Sequence, residues 1–433
     1  MSGLLRIVRA DSLRGRRLLR RLEGRGRLIL DAGTSRRAAR IVRSVRKGGD
    51  KALVEAARRL DGATAEQGGD LALEPSPADD GWQSLPEGFA EALERTITAV
   101  TDFHRLQVHP GYRLDAEGVE LEERRDPLRR VGVYIPGGRA SYPSTAVMTV
   151  VPAQLAGVDE IVAVTPPRSY RAMPALRYTL ERLGVKEVWG IGGAQAVAAL
   201  AYGTETIRPV DKVVGPGNAW VTAAKRLVMG DVAIDGLAGP TEVIIVADGG
   251  SDPQLVAADL LAQAEHDPLA AAVLVTRDRK LAKAVDGALQ EQLERLSTAE
   301  TARASLKAFG CALVVGSADE AVAVVDRLAP EHLQLVGEEA ESLVRGIRHA
   351  SAVFLGPWTP EVFGDYIAGP SHVLPTCGSA RFASALGVED FVRRSHVVRF
   401  DPQAAARRAG DAVVLATAEG LPAHAESARR RIR

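Results

Sequence analysis

A chain of 433 residues is too long for one hydrophobic core and implies two or more domains. With 46% hydrophobic and 25% charged residues it is globular, and 55 Lys+Arg against 55 Asp+Glu leaves no global field to attract nucleic acid or an anionic membrane. Its two cysteines, Cys311 and Cys377, exclude a disulfide scaffold and a cysteine-rich zinc module, so any metal must be held by histidine, carboxylate or amide groups.

Residues 1–47 are arginine-rich and 61–95 lean acidic, which suits solvated helix faces better than a basic recognition arm. Residues 1–22 share the arginine-rich, acid-poor composition of an organelle transit peptide, but no apolar run follows them as a secretory signal requires. Nothing approaches the ~18 apolar residues of a membrane span. Amphipathic helices are predicted over 1–25 and 84–107, outside any sheet. From about residue 128, β-rich runs alternate with Ala-rich helical ones: "RVGVYIP", a helix near 144–156, "EIVAVTP", a helix near 172–183, "VKEVWGIGG", a helix near 194–202, "KVV", then the helix opened by "GNAWVTAAKRLV". After "GLAGPTE" the pattern restarts with "VIIVAD", helix 253–266, "AAVLVT", helix 279–296, "CALVVG", helix 317–328 and "SAVFLG".

This alternation predicts an α/β protein of two doubly wound, incomplete Rossmann-like domains meeting near residue 240, with a ligand cleft at their junction. The expected boundaries are 26–105 with 129–240 for the first domain and 241–385 for the second. Residues 1–25 and 106–128 form a small helical extension, and 386–433 a tail. The tail is read as helical, broken at Gly420 and Pro422. It offers too little apolar surface for a core of its own, so a symmetry mate is its expected docking site.

Several segments carry chemistry. "WGIGGAQAVAAL" follows a strand and opens a helix, with Gly190 and Gly192 as in a dinucleotide fingerprint but Gln195 in place of the third glycine. The two glycines allow phosphate to approach a helix N-terminus, and "VVGPGNAW" repeats the theme with Gly215, Gly217 and Asn218. In "LLAQAEHDP", Gln263 and His266 stand at i and i+3 before Pro268, which reads equally as a capped helix end or as two legs of a metal site. "APEHLQL" places Glu331 beside His332 on an expected loop, either a surface pair or two bases. "FGDYIAGPSHVLPT" supplies Asp365 and His372 in a turn-rich loop, and "AEGLPAHA" supplies Glu419 and His424 around a helix break. His104, His109, His349 and His396 have no polar constellation and are read as structural.

Taken together, "VGVYIPGG", "GGAQAVAALAYGTE", "VVGPGNAWVTAAKR", "GPTE", "DLLAQAEHDP", "APEHLQL", "GDYIAGPSHVLPT" and "EGLPAHAES" resemble, in order and spacing, the successive motifs of histidinol dehydrogenase. The resemblance runs from near residue 4 to the C-terminus. It leaves almost no room for a removable transit peptide, and a cytoplasmic enzyme is expected. It implies a homodimer with one zinc ion per subunit that oxidises L-histidinol to L-histidine through L-histidinal in two NAD-dependent steps, the last reaction of histidine biosynthesis. The zinc ligands it implies are Gln263, His266, Asp365 and His424, which also meet the substrate. Glu331 and His332 match the acid–base pair, and His332 also touches substrate. Thr241, His372 and Glu419 match other substrate contacts, and Tyr134, Gln195 and Asn218 match the nucleotide contacts. The tail is expected to reach across the dimer and complete the partner's site with Glu419 and His424. Thr241 stands where the family often has serine, and Trp220 where a smaller aromatic is commoner; neither removes a reactive group.

A set of four nitrogen and oxygen ligands without cysteine differs from a closed structural zinc site, and a single anionic ligand leaves the metal positive. Such a centre is expected to orient the amino alcohol more than to activate water. The expected division of labour has His332 taking the alcohol proton and Glu331 activating water for attack on the aldehyde. Three rivals remain open at this point. They are a thiol-dependent aldehyde dehydrogenase using Cys377, a zinc hydrolase using Glu331, and a non-enzymatic nucleotide-binding or assembly protein. The hydrolase lacks an HExxH helix and gives no reason for two glycine-rich loops.

Overall fold

The computed structural model describes residues 3–26, 31–73, 84–137 and 142–432. The β-runs of the first half form a six-stranded sheet in the order Ala72–Leu73, Glu187–Gly190, Glu160–Thr165, Arg130–Tyr134, Lys212–Val214 and Ala233–Ile234. Only the edge strand Ala72–Leu73 runs antiparallel. Arg130–Tyr134 is buried at every position, as a parallel strand covered on both faces must be. Helices Phe89–Arg105, Pro143–Ala156 and Pro174–Arg182 pack on one face, and helices Ala32–Leu60, Gly193–Tyr202 and Ala219–Val228 on the other.

The second sheet is wholly parallel, in the order Arg6–Arg9, Cys311–Val314, Ala271–Thr276, Glu242–Ala247, His332–Val336 and Ala352–Leu355. Helices Pro253–Ala264, Arg279–Leu293 and Ala299–Phe309 cover one face, and Leu13–Glu23 with Ala318–Leu328 the other. The chain passes from one sheet to the other between Ile234 and Glu242.

Three expectations differ from this architecture. Residues 1–25 are not a helical extension outside the sheets. Arg6–Arg9 is an edge strand of the second sheet, paired with Cys311–Val314, and helix Leu13–Glu23 buries Leu18, Leu19 and Leu22 against that sheet. Residues 106–128 and the start of the tail are not helical either. Tyr112–Ala116, Val119–Pro127 and Val392–Phe400 form a separate antiparallel sheet, its hairpin turning at Glu117 and Gly118, both at positive φ. Third, His332 is not on a loop: it opens the fully buried strand His332–Val336, with Glu331 immediately before it. The tail continues as helices Pro402–Ala418 and Pro422–Arg429, with the break between them at Gly420 and Leu421. No helix among the described residues is long and apolar enough to cross a membrane.

Candidate active site

Parallel pairing of Glu242–Ala247 with His332–Val336 aligns Val243 with His332. The residues just before them, Thr241, Glu242 and Glu331, therefore converge at the amino edge of the second sheet. The Thr241 hydroxyl donates to Glu331 Oε2 at 2.6 Å, and the Glu242 backbone N–H donates to the same oxygen at 3.0 Å. Gln263 Nε2 donates to Thr241 Oγ1 at 3.0 Å, while Gln263 Oε1 is buried with no partner. Burial pushes the Glu331 carboxyl up to about 8. The Thr241 hydrogen bond pulls it back, nearby Glu242 and Asp365 raise it further, and the Glu242 N–H again opposes them.

His332 Nδ1 lies 3.2 Å from the Glu242 carbonyl, which can only accept, so Nδ1 carries the proton and Nε2 is the free base. Burial holds this histidine below its ordinary pKa, against the opposing pull of Asp365. A residue that sequence reasoning missed sits behind it: Glu361 Oε2 is 3.6 Å from His332 Nδ1. Both Glu361 carboxyl oxygens are buried without a hydrogen bond, and burial, then Asp365, raise its pKa well above the ordinary range. An acid after Pro360 at a helix start looks like routine capping, so nothing in the sequence marks it.

Asp365 lies on the short helix Glu361–Tyr366, not in a loop. Its Oδ2 stands 3.9 Å from His266 Nε2 and its Oδ1 3.7 Å from His372 Nδ1, and its backbone carbonyl is 3.0 Å from that same Nδ1. His372 is held below its ordinary pKa chiefly by burial, and its Nε2 faces Thr145 Oγ1 at 3.5 Å. That contact reaches helix Pro143–Ala156 of the first sheet, and Ser371 Oγ reinforces it by donating to the Met148 carbonyl. Helix Pro253–Ala264 ends before His266, which occupies the turn beyond it. Glu265 accepts from the Thr298 hydroxyl and takes no part in the site.

Among the described residues, no three or more His, Cys, Asp or Glu side chains are arranged to hold a metal ion. Within one chain His266 and Asp365 approach each other at 3.9 Å, and Gln263 Oε1, one helical turn before His266, is a buried acceptor without a partner, which fits a cation. Glu419 and His424 are not brought to this cluster. Both are exposed at the far end of the tail, where Arg407 and Asp401 tie the start of helix Pro402–Ala418 to the hairpin carbonyls of Glu117 and Gly118.

Tyr134, Gln195 and Asn218 border a cavity of about 730 Å³ at the carboxyl edge of the first sheet, together with Arg37, Arg40 and Trp220. Asn218 caps helix Ala219–Val228, accepting from Trp220 N and Val221 N. The expected phosphate seat on helix Gly193–Tyr202 is filled from within. Asp61 Oδ2 accepts from Gly192 N at 3.1 Å and from Gln195 Nε2 at 2.9 Å, and the Tyr134 hydroxyl accepts from Gly193 N. Gln195 thus replaces the third glycine with a buried amide that holds Asp61. A Cβ at Gly215 would stand 2.2 Å from the Tyr134 carbonyl, which explains the glycine there.

Cys377 is half-buried at φ 53°, and burial, then Glu242, push its thiol far above the ordinary range. A thiolate nucleophile is disfavoured at that position.

The molecule is an α/β protein with a buried carboxyl–histidine cluster at the amino edge of one parallel sheet and a cavity at the carboxyl edge of the other, groups of the kind an enzyme uses. The histidinol dehydrogenase family profile matches residues 30–432. Histidinol dehydrogenases of Synechococcus and Caulobacter vibrioides are 46% and 47% identical to it, over 90% and 91% of both chains. A crystal structure of histidinol dehydrogenase from Elizabethkingia anophelis superposes with a TM-score of 0.89 at 30% identity, covering 100% of this chain and 99% of that one. A betaine aldehyde dehydrogenase from Staphylococcus aureus shares the fold alone, with 11% identity and a TM-score of 0.50 over 88% and 87% of the two chains. The chain belongs to the histidinol dehydrogenase family, and it is an enzyme that oxidises histidinol.

Proposed function

We propose that this enzyme carries out the four-electron oxidation of L-histidinol to L-histidine through L-histidinal, in the cytoplasm, as a zinc- and NAD-dependent homodimer. The observation that carries the reading is the pairing of a buried, hydrogen-bonded Glu331 with a His332 whose Nε2 is free. Bound zinc would orient the imidazole and amine of the substrate, and NAD would accept hydride.

Gln263, His266 and Asp365 would hold the metal, joined by His424 of the partner subunit. The unpartnered Gln263 Oε1 and the neighbouring His266 and Asp365 support that set. Tyr134 and Asn218 would meet the nucleotide in the cavity of the first sheet, with Gln195 acting beneath them through Asp61. His332 takes the alcohol proton at Nε2, since Nδ1–H is committed to the Glu242 carbonyl. Glu331 then removes a proton from water for attack on the aldehyde. A carboxyl raised to about 8 is a stronger base than an ordinary one once ionised, and positioned bases contribute about 10²–10⁴-fold. Thr241 and the Glu242 N–H aim it. His332 accepts the second proton, His372 borders the substrate, and Glu419 of the partner subunit closes the pocket.

The test is NADH absorbance at exhaustion of limiting histidinol. The wild-type enzyme should yield about two NADH per histidinol, and Glu331→Gln about one with aldehyde accumulating. Equal loss of both oxidations in Glu331→Gln would refute the division of labour, and no NADH from the wild type would refute the reading as a whole.

A further inference from the structure

The deepest cation beside the site comes from a part of the chain the mechanism does not use. Arg25 is only 2% exposed, its guanidinium lying over the Phe309 ring. Nη1 donates to Glu242 Oε2 at 2.6 Å, and Nη2 donates to the backbone carbonyls of Pro240 and Thr241, both at 2.7 Å. The other Glu242 oxygen, Oε1, accepts from the backbone N–H of Cys377 at 2.7 Å and of Glu331 at 3.3 Å. One guanidinium therefore grips the turn that carries Thr241 and neutralises the carboxylate that grips Glu331.

The chemistry of this chain of contacts is directional. Glu242 uses both carboxyl oxygens as acceptors in a buried place, and a buried carboxylate needs a countercharge. Arg25 supplies it with a planar fork that also satisfies two carbonyls, a geometry an ammonium cannot reproduce. Glu331 is then held at both its backbone, by Glu242, and its side chain, by Thr241 and Glu242 N–H.

We propose that Arg25 is a positioning residue for the water-dependent second oxidation, acting through Glu242 and Thr241 on Glu331. The proposal rests on the role given to Glu331 above. A purely structural ion pair would affect stability and both oxidations alike. A positioning residue should affect mainly the aldehyde step, because misplacement of a base by about 1 Å costs about 10²-fold. A cavity of about 210 Å³ bordered by Arg25, Glu242 and Cys377 gives a free guanidinium ion room to enter once the side chain is removed.

The experiment uses the zinc-loaded full chain with Arg25→Ala and Arg25→Lys, measuring alcohol oxidation and aldehyde oxidation separately beside thermal melting. Arg25→Ala should lower kcat for the aldehyde by about 10²-fold and for the alcohol much less, with KM for NAD little changed. Guanidinium chloride at sub-denaturing concentration should restore part of the lost aldehyde activity in Arg25→Ala and none in Glu331→Gln. Arg25→Lys should recover melting temperature more than aldehyde activity. Equal loss in both steps, or no rescue of Arg25→Ala by guanidinium, overturns the proposal. If Glu331→Gln spares both steps, the role of Glu331 itself fails, which is a separate result.

Discussion

Glu331 and Glu361 are both carboxyls shut away from water, yet only Glu331 has hydrogen-bond donors. Folding raises Glu331 from 4.5 to about 8, so the folded state binds its proton more tightly than the unfolded chain does. The stability this carboxyl contributes is complete below its unfolded pKa and is lost as pH rises through about 8. In the metal-free protein, Glu331→Gln should therefore gain stability over the wild type as pH rises through this window, by up to about 5 kcal/mol at its top. Thermal melts across that range check it, and a pH-independent difference would contradict it. The proposed acid–base pair was legible in sequence, because Glu331 and His332 are adjacent in a recognisable segment. Glu361, Asp61 and Arg25 were not. Each acts on a residue far away in the chain, Asp61 on Gln195 and Arg25 on Glu242, and such pairs leave no local spacing to read.

At the scale of elements, helix Ala219–Val228 owes its start to a side chain with two duties. Asn218 accepts from Trp220 N at 3.0 Å and from Val221 N at 3.3 Å, so it caps helix Ala219–Val228 as well as bordering the cavity. Asn218→Ala should cost about 1 kcal/mol, while Asn218→Asp keeps the cap and should melt near the wild type. Measuring both melts with NADH affinity separates the duties; equal stability in all three proteins would show that the cap contributes nothing. Runs such as "VIIVAD" and "AAVLVT" were readable as strands because both of their faces are buried, leaving continuous apolar sequence. The hairpin was hidden because "VELEERRDP" is dense in charge, although the two-residue turn at Glu117–Gly118 marks it in retrospect. His332 was expected on a loop because an adjacent Glu-His suggests a surface pair, whereas it opens a buried strand whose Gln334 is fully buried.

At the scale of the whole molecule, the tail remains unfinished within one chain. Val414 and Leu415 are 67% and 65% exposed, and Tyr112, Leu114, Val398 and Phe400 are exposed on the antiparallel sheet next to it. Exposed apolar side chains on the antiparallel sheet and helix Pro402–Ala418 fit a second copy of the chain, the arrangement that would bring His424 and Glu419 to a partner's cluster. Mixing His424→Ala chains with Glu331→Gln chains, neither of which should form histidine alone, should restore part of the aldehyde oxidation after subunit exchange, because one site of each mixed dimer would be intact; no recovery in verified heterodimers would count against the exchange. By itself the sequence determined the family, the alternation of strands and helices, and the residue types able to hold a metal or move a proton, because these follow from periodicity and short motifs. Only the tertiary structure decided that the N-terminal segment is an edge strand and that Asp61 fills the helix N-terminus offered to phosphate. It also decided that burial raises the Glu331 carboxyl to about 8. Those outcomes depend on burial and on contacts between distant segments, which exist only after the sheets have closed on one another.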